Sequence, residues 1–157
     1  MDISAVVQSQ YFAALAMLEA TVQKCPAAIW DDTQDRNRFW RVAFHVLFYT
    51  HLYLQEQETN FRPWAKARGE AQFFGPIFFE GNHEPVVAEP YTPAEILEYL
   101  NFCRQEVGDK VPCYNYAGPS GFDWLPMNKL ELQCYNIRHI QHHTGELYER
   151  LGARAEA

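Results

Sequence analysis

The chain is short of basic charge: 13 Lys and Arg stand against 20 Asp and Glu, for a net charge of −7 over 157 residues. Nucleic-acid surfaces work by clustering cations against phosphates, so that class of partner is excluded. Long apolar runs are also missing. No segment is apolar for the ~18 residues a membrane span needs. The opening MDISAVVQSQYFAALAMLEA carries Asp2 and no Lys or Arg ahead of its apolar stretch, the wrong order for a signal peptide. Cys25, Cys103, Cys113 and Cys134 lie far apart and form no CxxC pair. Zinc-ribbon and thioredoxin-type sites are thereby excluded, and buried thiols in a reducing cytoplasm are expected. Gly118-Pro119-Ser120-Gly121 is a turn signal too short to cradle a phosphate. No repeat, low-complexity tract or sustained apolar-polar alternation is present, so a sheet has no support in the pattern.

What the chain does have is enough apolar content, 48% of residues, for one globular domain over 1–157. Ile3, Val6, Val7, Leu15, Leu18 and Val22 recur at helical spacing, which predicts a first helix over 3–24 closed by Pro26. Between Asp35 and Glu58 there is no Gly or Pro, and FWRVAFHVLFYTHLYL is apolar almost all round, as a buried central helix is. Thr92-Pro93-Ala94-Glu95 combines an N-cap Thr, a Pro at the first helical position and a Glu at the third. A third helix is predicted from there to Gly108. The fourth runs from Met127 to Leu151, with Gly152 as its C-cap. The whole is an all-α bundle. Its connections 59–91 and 109–126 are long, and the first, holding Phe61, Trp64, Phe73, Phe74, Phe78 and Phe79, is expected to fold over one end of it.

The chemistry gathers in the fourth helix, in NIRHIQHHTGELYERL. At about 100° per residue His142 shares a stripe with Glu131, Arg138 and Glu149, which is the solvated face. His139 and His143 lie one turn apart on the stripe of Leu132, Asn136 and Leu147, beside the core. Two imidazoles at i and i+4 present two nitrogens to one metal ion, as in the zincin HExxH helix. Ile140 stands where a zincin has its catalytic Glu, so a metalloprotease is excluded. Two core-facing histidines satisfied by hydrogen bonds would show the same spacing. A third ligand would come from His45 or His51 in the second helix, and periodicity leaves both open. Glu146 and Asn136, three residues outside the pair, are within reach of it, with a solvent-facing role the simpler reading for Glu146. Asp123 and Trp124 are candidates for the mouth of the site.

A histidine within RVAFHVLFYTHLYL followed near the C-terminus by RHIQHHTGEL resembles the DinB/YfiT-like superfamily of metal-dependent proteins, over nearly the whole chain. The resemblance implies a four-helix bundle whose second helix gives one histidine and whose last gives two. It matches His45, His139 and His143 as the ligands of a divalent metal and makes His51 a bystander. Three neutral imidazoles suit Zn²⁺ or Ni²⁺ and leave a position open, the mark of a catalytic site. By the same resemblance the protein is expected to be a cytoplasmic homodimer that acts on a small molecule, a thiol S-transferase using a low-molecular-weight thiol such as bacillithiol, mycothiol or glutathione. The alternatives are a metal-dependent hydrolase and a non-catalytic, stress-related metal-binding module. A deep pocket ending at the histidines favours an enzyme, and a flat closed surface favours the module.

Overall fold

The computed structural model of the chain describes residues 1–79 and 81–155. These fold as helices, α1 (Ile3–Lys24), α2 (Ala27–Trp30), α3 (Phe39–Tyr53), α4 (Pro93–Lys110) and α5 (Lys129–Ala155). Among the described residues the only β pairing is two isolated bridges, Ile77 with His83 and Pro119 with Asn128. Among the described residues no helix is long and apolar enough to cross a membrane. The all-α reading therefore holds.

Local chemistry sets the helix starts. Asp2 caps α1 by accepting the Ala5 N–H at 3.2 Å. Thr92 and Glu95 form the reciprocal capping box of α4, with Pro93 in its first turn. Asn128 and Glu131 make the same kind of exchange at α5, at 2.9 and 3.1 Å. The ends differ from expectation where a partner elsewhere in the chain decides them. α3 is shorter than the 35–58 window at both ends. Asp35 is drawn instead to Arg150 and Arg154 of α5, and the Glu58 N–H is fastened to Gly121 O at 3.0 Å. α4 passes through Gly108, because Val107 and Val111 are both fully buried. α5 passes Gly152 because Arg154 in the next turn pairs with Asp32 and Asp35, each at 2.7 Å. The single-turn α2 was not anticipated; it buries Ile29 and Trp30, whose indole donates to Tyr91 O at 2.8 Å.

α1 packs against α4 and α5, and α3 packs on the same two helices. Tyr11, Leu15, Leu18, Phe44, Leu47, Leu100 and Ile140 are buried in the shared core. A second cluster, Leu52, Tyr53, Phe122 and Leu132, lies toward the end of α3. The thiols are not uniformly buried as expected: Cys103 is, but Cys113 and Cys134 are exposed and Cys25 is half-buried. The aromatic connection does not cap an end. It lies along the flank of α3, with Ala71 O and Phe73 O held by Arg41 and Phe61 against Phe48 and His51.

The α3–α5 interface is sewn by polar groups. The last carbonyls of a helix have no partner within it. Here Gln133 donates to Tyr53 O (3.3 Å) at the end of α3, the Lys129 ammonium donates to Gln55 O (3.1 Å) and Glu56 O (2.9 Å) just beyond it and to Ser120 O, and Asn136 adds a second bond (3.2 Å) to Thr50 O, which also accepts the Leu54 N–H. Lys129, Gln133 and Asn136 are all buried and recur along one stripe of α5. Burial holds the Lys129 amine down at about 8.

Gly121 is the tight point of this join. It sits at φ +89°, and a Cβ there would lie 2.0 Å from Glu56 O. Gly121→Ala is expected to cost about 3 kcal/mol or more, from strain and displacement of the Glu56 carbonyl. Gly145→Ala, in the open interior of α5 with nothing near its Cβ position, is expected to stabilise by about 0.5–1 kcal/mol. Chemical denaturation of the two variants checks the opposite signs.

Candidate metal centre

His45, in the middle of α3, faces His139 and His143 of α5. Their ring centroids form a near-equilateral triangle with sides of 5.0, 4.9 and 4.8 Å. His142 is exposed, with Glu131, Arg138 and Glu149 on its stripe, whereas Leu132, Asn136 and Leu147 beside the pair are buried. His51 points the other way. Its Nδ1 lies 3.1 Å from the Tyr99 hydroxyl of α4, and its ring packs on Phe102.

Outer contacts orient two of the three rings. His45 Nδ1 is 2.6 Å from Gln72 O, a group that only accepts, so Nδ1 carries the proton and Nε2 is bare. His143 Nδ1 is 2.9 Å from Glu146 Oε2, which fixes the same tautomer. Glu146 is held in turn by Arg150, and Arg150 by Asn37 O and Asp35. Glu146 thus orients a ring, where the solvent-facing reading had been the simpler one. Asn136 spends its amide on Thr50 O of the α3–α5 seam. His139 Nε2 lies 3.1 Å from His45 Nε2, and its Nδ1 is buried without a hydrogen-bond partner. Phe74 stacks on His45 at 4.0 Å and sets its edge to His143. Arg41, one turn before His45, holds the Phe73 carbonyl and so keeps Phe74 in place. Neither Gln72 nor Phe74 could be assigned to the site from spacing, because both come from an irregular connection.

Burial keeps the rings neutral. It pulls His45 down to about 4, against the opposing hydrogen bond to Gln72, and His139 to about 3, helped by the neighbouring imidazoles. His143 is also lowered by burial, in spite of Glu146. Burial raises the Glu146 carboxyl, but the His143 hydrogen bond and the Arg150 charge outweigh it and hold the group below its ordinary value.

Neutral imidazoles with converging nitrogens are what a divalent metal requires. One ligand atom from each of His45, His139 and His143 lies within 4.8 Å of the others, so the group can hold a metal ion. The 3.1 Å spacing of the His45–His139 pair is close to the roughly 3.3 Å edge between two ligands of a tetrahedral ion with bonds near 2.0–2.1 Å. Oriented Nδ1–H groups on His45 and His143 are the usual outer support of such ligands. A second grouping, His142, His143 and Glu146, also meets the spacing. It includes an exposed ring, and it would take the His143 nitrogen that Glu146 already engages.

His45 and His139 line a cavity of about 810 Å³. Phe48, Tyr53, Phe61, Phe73, Phe79 and Trp124 are among its walls. Trp124 thus stands at the site as expected, whereas Asp123 is exposed and outside the lining. None of the four cysteines lines it. Comparison with known protein families, with curated proteins and with solved structures finds no match to this chain.

The buried imidazoles give the metal-free protein a pH signature. Unfolded histidines titrate near 6.5, whereas His45 and His51 titrate at about 4 and His139 at about 3 in the fold. Between those values the unfolded chain binds more protons, so stability rises with pH. It is complete above about pH 6.5 and drains away as the pH falls toward 4. The urea midpoint of metal-free protein is expected to fall steadily from pH 7 to pH 5. A flat or rising midpoint over that interval would mean that burial does not hold these rings neutral.

Proposed function

We propose that the chain is a metal-dependent enzyme of the DinB-like kind, a four-helix bundle whose His45, His139 and His143 hold one Zn²⁺ or Ni²⁺ ion with a position open to a small molecule. The observation that carries this reading is the cavity lined by two of the three imidazoles. A flat, closed surface over them would have favoured a binding module without chemistry. When bound, the ion supplies Lewis acidity sufficient to hold a small thiol as its thiolate at neutral pH. The rest is the protein's work. Gln72 O and Glu146 aim the rings, Phe74 shields His45, and the aromatic walls exclude water from an acceptor lying beside the centre. The reaction is thiol S-transfer. A carbon–sulfur bond forms, the bond from that carbon to its leaving group breaks, and the thiol proton passes to solvent. No protein cysteine takes part, in keeping with a lining free of thiols.

Metal content separates the two histidine groupings. Untagged protein dialysed against zinc is expected to retain one equivalent, unchanged in His142→Ala, with affinity lowered more than about 100-fold in His139→Ala. Zinc lost on removing His142 and kept on removing His139 would place the ion with Glu146 and His142 instead.

Activity is tested by incubating zinc-loaded protein with a panel of low-molecular-weight thiols and a chromogenic aryl halide. Turnover above the uncatalysed rate is expected with at least one thiol and is expected to vanish in His139→Ala. It should persist when Cys25, Cys113 and Cys134 are replaced by Ser. Equal rates in wild type and His139→Ala, or no rate with any thiol, would overturn the transferase and leave the hydrolase or the binding module.

A further inference from the structure

Beside His45 and His139, the cavity is lined by electron-rich rings. Among the described residues its lining holds one formally charged side chain, the Glu58 carboxylate, and no Lys or Arg. Glu58 is a built part of the rim. Its Oε2 accepts the Trp124 indole N–H at 3.1 Å, and its backbone N–H is fastened to Gly121 O. Tyr53 stands beside Trp124 with ring centroids 6.0 Å apart, and Tyr135 lies 5.6 Å from Tyr53. The faces of such rings carry negative potential. The Tyr135 ring already attracts a cation of the protein itself, the Arg138 guanidinium, 5.3 Å from its centre. Rim and walls thus favour the same sign of charge.

We propose that the cavity takes a small organic cation with an apolar body, an alkyl- or arylalkylammonium. Its charged end sits between Glu58 and the rings of Tyr53 and Trp124, and its apolar body reaches toward His45 and His139. The proposal rests on the open-centre reading for what happens at the histidines, while recognition is carried by protein side chains alone. An anion in the same place would face Glu58 with no Lys or Arg in the lining to offset it. A neutral molecule of the same shape would keep the apolar contacts and forgo both charge-dependent ones. At a solvent-reached rim those two together correspond to about a tenfold change in dissociation constant.

Three probes of one shape test this: 2-phenylethylammonium, 2-phenylethanol and phenylacetate, titrated calorimetrically into the full chain, metal-free and zinc-loaded. In metal-free protein the ammonium is expected to bind about tenfold tighter than the alcohol, with the carboxylate weakest. Glu58→Gln keeps an acceptor for the Trp124 N–H. It should bring the ammonium close to the alcohol and leave the alcohol within about twofold, with an unchanged melting temperature confirming the fold. Alcohol and ammonium binding equally, no probe binding at all, or Glu58→Gln leaving the preference intact would each overturn the proposal. Charge selectivity without retained zinc would support it while counting against the metal reading. Retained zinc without selectivity would do the reverse.

Discussion

The arrangement depends first on how the end of α3 is satisfied. A helix that stops inside a protein leaves carbonyls that must find donors, or each costs on the order of 1–3 kcal/mol. α5 supplies donors from its own side chains, Gln133 to Tyr53 and Lys129 to Gln55 and Glu56 just past the helix, while Asn136 reinforces Thr50 O, which the Leu54 N–H already serves. These bonds are directional and buried, so sliding α5 by one turn would break all of them together and take these donors from the Tyr53, Gln55 and Glu56 carbonyls. The hydrophobic contacts around them are not directional and would tolerate several registers. With the seam in place, His139 stands one turn beyond Asn136 and meets His45.

A site of three neutral imidazoles opposes its own stability. Each is kept from protonating by burial, and the His139 Nδ1 has no partner. The surroundings offset this with ties from outside the two helices. The Glu146–Arg150–Asp35 chain of charges, extended by Arg154 to Asp32, braces the triad on the His143 side. On the other side Arg41 holds the connection that delivers Gln72 O and Phe74. Ion pairs of this kind are half-buried, so their value lies in the positions they enforce rather than in net stabilisation. Fixed rings in a fixed triangle are the condition for ligation without large rearrangement.

The aromatic connection has a double function. Trp64 stacks on Tyr99 at 4.5 Å and contributes to the core, whereas Phe61, Phe73 and Phe79 wall the cavity. Phe79 remains largely exposed at the mouth. A segment with so little regular structure is retained in place because its large rings bury enough area to offset the entropy of ordering it.

The helices were legible in the sequence because their causes are local. Periodicity set the helical span of α1 and the inward Val7, Leu15, Leu18 and Val22, though Ile3 and Val6 of the same spacing are exposed, Thr92 with Glu95 set the start of α4, and 100° per residue separated outward His142 from inward His139 and His143. Those signals need only a residue and its neighbours within two turns. Helix ends at Gly108 and Gly152 were misread, because a glycine is overridden once a distant partner, the core for Val111 or Asp32 and Asp35 for Arg154, rewards another turn. The choice between His45 and His51 had no local answer: both are set among apolar residues of one helix, and periodicity accommodated either. Packing decided it, since α5 lies over His45 while Tyr99 and Phe102 of α4 enclose His51. Gln72, Phe74, Glu58 and Lys129 gained their positions in the same way. What a residue does within its own helix follows from spacing, and what it does across the gap between two elements follows only from how those elements dock, which is a property of the whole chain.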